Sequence, residues 1–376
     1  MTPRPAFFPR SAVLFLALAA AALPLRLAAE TAAPVTTTYH VEQNVTLSEI
    51  PAGAKTVKWW ISIPNDDRYQ EVLDFNVVSA PGTWRTVTEP DHGNRFMLVE
   101  VAAPAAGSLT TKVEFLLRRR SVFTEIDPAK AGPITDSHRL LFVDEMRQDA
   151  PHMQASPRIV KMANTACGIE TNIAVQARQL LDAVADYADH YSKDPTKPRC
   201  SVGDAGDCMT NAGGCCTDMH SLFIALARSR GIPARLQMGY RLREANAGKE
   251  VDPGYRCWAE YFVPNYGWVS ADIVEADDPK GLGRTRWFSG LTERRLWLNE
   301  GREFDLAGRA VTGHRINTMV IGYAEIDGVE ARVLANDITK VPAQLARTVR
   351  YTEVKAPVAT ANVAVAATPA PAPAKL

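Results

Sequence analysis

The chain has 376 residues, and its 42 lysines and arginines are balanced by 42 aspartates and glutamates. That length accommodates two or three domains and a sizeable core. A formal charge of zero argues for neither a nucleic-acid partner nor an anionic membrane surface.

The N-terminus reads as a targeting segment. Arg4 and Arg10 precede an apolar stretch from Ser11 to Leu23, and small residues follow at Ala28-Ala29. A positive flank, a short apolar centre and a small-residue exit describe a secretory signal over residues 1–29. The apolar run is shorter than the ~20 residues of a membrane span. No later stretch is apolar enough to cross a bilayer, so the mature chain is expected to be soluble and secreted or periplasmic. In such an oxidising compartment most of the six cysteines would pair. Cys200 and Cys208, close together in a loop-like stretch, are the expected disulfide. Cys167 is left to pair with Cys215 or Cys257, or to stay reduced. The cysteines lack a C-x-x-C pair and nearby histidines, and no calcium-loop pattern appears. Neither a metal nor a cofactor is expected.

Residues 35–122 alternate in the manner of strands. Tyr39, Val41, Val45 and Leu47 share one face, as do Val57, Trp59, Ile61 and Ile63, then Phe96 and Leu98, then Val113, Phe115 and Leu117. Turn residues between these runs predict a β-sandwich-like antiparallel domain. Arg118-Arg119-Arg120 reads as its solvated strand end. From 123 to 165 the signal is mixed, with Pro128, Pro133, Pro151 and Pro157 interrupting any long element. A helix follows, with Ile173, Ala177, Leu180, Leu181, Val184, Tyr187 and Tyr191 at helical spacing. Residues 192–214 read as a loop. A second helix is predicted from Thr217 to Arg230, stopped by Gly231-Ile232-Pro233. The strands "ARLQMGYRL", "RCWAEYFV" and "WVSADIV" come next, then a β region over 314–334 with a hairpin turn at Asp327-Gly328. Residues 355–376 are Ala/Pro-rich and predicted to be disordered.

The stretch "GGCCTDMHSLFIALARSRGIPARLQMGY" places Cys216 where a loop becomes a helix. Free backbone N–H groups and the positive end of the helix dipole favour thiolate there, and the same N–H groups can hold an oxyanion. Cys216 therefore stands at a nucleophile's address. A cysteine opening a helix is also often half a disulfide or a core residue. Asp218, just inside the helix, suits the N-terminal cap.

The order of the pieces carries more. Cys216-Thr217-Asp218, Gly231-Ile232-Pro233-Ala234-Arg235, Trp258-Ala259-Glu260, Gly267-Trp268 and Asp272 follow one another in a pattern that resembles the transglutaminase-like superfamily, across residues 165–290. The resemblance implies an α+β papain/transglutaminase-like core, in which a helix bearing the cysteine packs on an antiparallel sheet. That core would occupy residues 123–300, after the β domain of 35–122 and before a C-terminal β extension over 301–350. It also implies a triad: a cysteine thiolate attacks a carbonyl, a histidine moves the proton, and an aspartate orients the histidine. Carried over, Cys216 is the nucleophile and Asp272 the orienter. The histidine position, two before Trp258, holds Arg256.

A guanidinium has no lone pair to accept a proton and none to release near neutral pH. Strand alternation is expected to point Arg256 at the site and Cys257 away from it. His220, one helical turn after Cys216, is the candidate substitute base; His190 and His314 read as structural or surface residues. Exported relatives also carry an aromatic–glycine run before "GDA", and here "RCSV" precedes Gly203-Asp204-Ala205. Three readings stand. One is a weakly active or inactive exported protein whose groove binds a peptide or protein. The second is an active cysteine hydrolase or acyltransferase using Cys216 with another base. The third is a structural module in which Cys216 is paired in a disulfide.

Overall fold

A computed structural model describes residues 33–199, 202–278, 281–332 and 344–354. The secretory-signal segment, the Ala/Pro-rich tail and Cys200 lie outside the described residues.

The first strands follow the alternation read from the sequence. They are β1 (Thr36–Ile50), β2 (Thr56–Ser62), β3 (Gln70–Ser79), β4 (Thr83–Thr88), β5 (Arg95–Ala102), β6 (Gly107–Arg120) and the short β7 (Val122–Phe123). Helices α1 (Asp136–Leu141), α2 (Pro157–Cys167) and α3 (Ile173–Tyr187) follow. Then come β8 (Asp189–His190), α4 (Ala205–Asn211), β9 (Gly213–Gly214) and α5 (Cys216–Ser229). The chain continues through β10 (Ala234–Arg241), β11 (Arg256–Val263), β12 (Gly267–Ala271), α6 (Ile273–Ala276), α7 (Arg284–Trp287), β13 (Gly290–Leu291) and β14 (Arg295–Glu300). It closes with β15 (Gly322–Ile326), β16 (Val329–Glu330) and β17 (Leu345–Glu353).

Two sheets hold the N-terminal strands, in the orders β17-β1-β6-β3 and β16-β15-β2-β5-β4. Their buried rows, Tyr39, Val41, Val45 and Leu47 from one and Val57, Trp59 and Ile61 from the other, belong to one apolar core. The C-terminal segment contributes to both sheets. β15 pairs antiparallel with β2, and β17 runs along β1 from Leu47 opposite Leu345 to Tyr39 opposite Glu353. The turn at Asp327-Gly328 has φ of +50° and +76°, the left-handed pair a tight hairpin requires. Arg119 corrects the reading of the arginine triplet. Alternation turns it inward, where it is 1% exposed and pairs with Asp67 at 3.2 Å.

The second half is a mixed layer. Sheet β12-β11-β10-β14 is antiparallel throughout, and α5 packs on β10 and β11 with α2 and α3 behind it. Leu236, Met238, Tyr240 and Leu242 are all fully buried. α5 begins at Cys216 and ends at Ser229, with Gly231 at φ +73° just beyond. Arg228 fixes that exit by donating from Nε and Nη2 to the Ala234 carbonyl at 3.0 and 2.8 Å.

Two expectations are corrected by local chemistry. Pro157 does not interrupt an element but opens α2 at its first helical position, where the missing N–H costs nothing, behind the Ser156 cap. The loop predicted for 192–214 contains α4, whose N-cap Asp204 accepts from the N–H groups of Gly206 and Asp207 at 2.7 and 3.2 Å.

Candidate active site

Cys216 is the first residue of α5. Asp218 secures that helix start by accepting the backbone N–H of Cys215 at 2.7 Å on Oδ2 and that of Asp204 at 2.9 Å on Oδ1. Burial pushes the Asp218 carboxyl up to about 6. Cys215 itself is disulfide-bonded, whereas Cys167, Cys208, Cys216 and Cys257 are free and buried. The Cys200–Cys208 pairing is thereby overturned. So is the reading of Cys216 as half a disulfide. Buried Cys208 has a thiol pushed far up by desolvation, as befits a core residue.

The Cys216 thiol is held well below its ordinary range, despite a side chain that is only 4% exposed. The largest cause is a hydrogen bond from Cys257. Burial opposes it, and a hydrogen bond from His190 and the positive charge of Arg256 add to it. Cys257 moves the other way: burial and the neighbouring Cys216 charge keep it a thiol. Alternation was expected to turn Cys257 away. In fact the face of β11 that carries it packs on α5, and its Sγ lies 3.5 Å from Thr217 Oγ1 and 3.4 Å from His220 Nδ1. Thr217 Oγ1 donates to Tyr255 Oη at 3.1 Å, and Tyr255 Oη lies 3.2 Å from Cys215 Sγ.

Arg256, the first residue of β11, faces a carboxylate cluster. Its Nε and Nη2 donate to Asp272 at 3.3 Å each, and Nη2 donates to Glu275 Oε1 at 2.9 Å. Arg295 Nη2 donates to Asp272 Oδ2 at 2.9 Å, and Arg241 pairs with Glu275 at 2.6 Å. Asp272 is also the N-cap of α6, accepting from the Glu275 N–H at 3.1 Å. Burial opposes its ionisation, but Arg256 and Arg295 outweigh burial and hold the carboxyl well below the usual range. The same carboxylates hold Arg256 above its ordinary value against desolvation. Three guanidiniums facing two carboxylates leave one positive charge unbalanced beside Cys216.

His220 is fully buried, and burial lowers its pKa. Its Nε2 accepts the Ile273 N–H at 3.1 Å, which puts its proton on Nδ1, toward Cys257. Both ring nitrogens thus have partners other than the Cys216 thiol, the Cys216 backbone among them. Asp272 Oδ1 lies 3.9 Å from Nε2.

The residue the sequence reading missed is His190. It looked like a helix-end residue, yet β8 pairs in parallel with β9, His190 opposite Gly214, and its side chain reaches the Cys216 thiol. The available signal was Gly213-Gly214. A Cβ on Gly213 would sit 2.4 Å from the Asp189 carbonyl, and one on Gly214 would sit 2.5 Å from Asp218 Oδ2. Only glycine permits both close approaches, with φ of +155° and +152°.

Trp258 is 2% exposed core, and Glu260 is held by Arg235, whose Nε and Nη2 donate to Oε2 at 3.0 and 2.8 Å. Both are structural in the arrangement seen.

Comparison with known proteins places this geometry. Residues 162–273 match the family described as the transglutaminase-like superfamily. An uncharacterised protein of Haemophilus influenzae is 25% identical over 317 residues, covering 74% of this chain and 83% of that one. A Cytophaga hutchinsonii structure described as a candidate cysteine protease superposes with a TM-score of 0.56 at 15% identity, over 87% of this chain and 94% of its own. The periplasmic domain of TgpA from Pseudomonas aeruginosa, bound to ethylmercury, gives a TM-score of 0.29 at 17% identity, over 64% of this chain and 93% of that one. The likeness to the Cytophaga hutchinsonii structure shows a shared fold. Among the described residues, no helix is long and apolar enough to cross a membrane, and no cluster of metal-ligating side chains occurs.

Proposed function

Since residues 162–273 are a domain of the transglutaminase-like superfamily, we propose that this chain is an exported thiol acyl-transfer protein of the cysteine hydrolase or acyltransferase type. Cys216 is its nucleophile, and a peptide or protein carbonyl is its substrate. The supporting observation is a free thiol at the first turn of α5, hydrogen-bonded by Cys257 and beside one unbalanced guanidinium charge. A thiolate completes that charge balance. Export rests on the residues of the N-terminal segment.

Residue 256 takes no part in proton transfer, because its guanidinium can neither accept a proton nor release one. It acts instead as a fixed cation that favours thiolate. Loss of general acid–base help typically costs ~100- to 10,000-fold. Turnover of an amide, whose leaving amine must be protonated, therefore depends on a proton carrier elsewhere. Without one, the protein is a weakly active or inactive binder of peptides, a second reading favoured by the 4% exposure of Cys216.

Iodoacetamide is small enough to test a thiol so enclosed. Labelling of the folded protein across pH, located by peptide mass spectrometry, should find Cys216 modified well below pH 8 and Cys257 spared. Labelling that appears only above pH 8 would refute the nucleophile.

A further inference from the structure

We propose that the cavity between the β7–β13 pair, the N-terminal half of α3 and α7 binds a small apolar carboxylate, whose ring or short chain fills the space while Arg286 takes the charge. None of the residues lining it belongs to the Cys216 cluster or to the Asp272–Glu275 group, so this site does not depend on the chemistry of that thiol.

The space is built into the fold. β7 and β13 approach closely because position 290 is glycine, where a Cβ would collide with the Val122 carbonyl. The Thr124 N–H donates to the Ser289 carbonyl at 2.7 Å. Asn172 Nδ2 donates to the Pro128 carbonyl at 2.8 Å, and Tyr261 Oη donates to the Phe288 carbonyl at 2.8 Å. These bonds tie the walls to one another, so the cavity does not need a ligand in order to form. Its volume is about 490 Å³, within the range of small-molecule sites.

The walls are mostly apolar, with Phe123, Ile126, Val175, Tyr261 and Phe288 among them. An aromatic or alkyl group gains by leaving water for such a surface. Arg286 adds the charge. Its guanidinium carbon lies 3.9 Å from the Phe123 ring centroid. Stacking holds the group by its face and leaves its N–H edge to meet a carboxylate with two parallel bonds. Among the described residues, that guanidinium has no ion pair and no hydrogen bond.

The other guanidinium at the cavity is already committed. Arg178 donates from Nε to Asp182 at 2.7 Å and from Nη1 to Thr285 Oγ1 at 3.3 Å, and its guanidinium carbon lies 5.3 Å from the Phe288 ring centroid. Glu125, exposed and also part of the lining, makes no ion pair with either arginine and disfavours a dianion. One available cation among apolar walls matches one negative charge on an apolar body. A phosphate carries more charge than that cation offsets and gains nothing from the walls.

The test is titration of the intact protein near pH 7 with 3-phenylpropionate and with 3-phenylpropanamide, which keeps the ring and chain but lacks the charge. Binding is read from the methyl NMR signals of Ile126 and Val175. We expect saturable shifts at both residues while Val41 and Val45, in the N-terminal core, stay unmoved. The amide should bind at least about tenfold more weakly, the loss expected for a hydrogen bond to a charged group. Arg286→Met keeps an apolar contact with Phe123 and removes the charge. It should reduce the carboxylate to the affinity of the amide and leave the amide as it was. Val175→Trp fills the cavity and, read at Ile126, should abolish binding of both. Equal binding of the two probes to the wild type, or a preference that survives in R286M, overturns the carboxylate site. Shifts that spare Ile126 and Val175, binding that survives in V175W, or no saturable binding of either probe to the wild type overturns the cavity as a ligand site.

Discussion

The two ends of the candidate site are built from opposite materials. At the α5 end, Cys216, Cys257, Thr217, Tyr255 and His190 form a cluster in which protons can be redistributed. At the β11–α6 end, Asp272 and Glu275 are locked to Arg241, Arg256 and Arg295, groups that keep their charges. A histidine at position 256 would join the two ends. Arg256 instead bonds Asp272 and Glu275, and its positive charge helps to lower the Cys216 thiol. The comparison teaches that buried cations can hold one part of a cluster at fixed charge while a neighbouring part keeps exchangeable protons.

Breaking the charged end should have the largest effect. Asp272 is fully buried and receives two guanidiniums, so Asp272→Asn leaves buried cations without their partner. Removing one member of such a pair costs about 3–5 kcal/mol. A fall of that size in unfolding free energy by urea titration is expected, and a change under 1 kcal/mol would contradict the locked scaffold. The wild type supplies a companion measurement. A carboxyl depressed in the folded state stabilises above its unfolded pKa and stops doing so as pH falls through the folded one. Wild-type stability should accordingly drop below about pH 4.

Asp218 marks the boundary and should behave with the opposite sign. Its folded-state carboxyl is raised to about 6, so between the unfolded value and that one the native state holds the extra proton. Its contribution to stability therefore declines as pH rises from about 4 to 6, by at most about 3 kcal/mol. Asp218→Asn does not titrate, and the stability difference between wild type and variant should shift toward the variant across that interval. A constant difference would place the carboxyl in an ordinary range.

Much of this organisation was legible in the residues. Alternation in β1, β2 and β6 announced paired sheets, and the order of Cys216, the Gly231–Arg235 stop, Trp258 and Asp272 announced the core. What escaped has physical reasons. β17 lies where neither its alternation nor its partner β1, some three hundred residues earlier, suggests pairing locally. The facing of Cys257 depends on which side of β11 meets α5, and a period of two gives two sides without saying which is inward. His190 needed a parallel bridge of two residues, too short to leave a pattern; only the paired glycines hinted at a close approach. Disulfide choice was equally hidden, because burial of Cys208 is a tertiary fact.

At the reactive end the effects should be kinetic and smaller. Arg256→Met removes the guanidinium whose charge lowers the Cys216 thiol, while Arg295 and Arg241 still neutralise the carboxylates. The pH at which Cys216 becomes reactive toward iodoacetamide should rise by roughly one unit, the tenfold effect of ~1.4 kcal/mol.

Cys257→Ser probes the remaining contact. Serine keeps a hydroxyl where the thiol was, so the hydrogen bond to Cys216 can survive while the shorter side chain weakens it. Cys257→Ala removes the donor and leaves Cys216 with His190 and the field of Arg256. Reactivity at pH 6 should fall in the order wild type, serine, alanine, with alanine down about three- to tenfold. His220 supplies the internal check, since its Nδ1–H loses its sulfur acceptor in alanine and finds an oxygen in serine. Stability should therefore rank serine above alanine. If the two variants label Cys216 as fast as the wild type, the acidity of that thiol comes from His190 and Arg256, and Cys257 serves only to fill the space between α5 and β11.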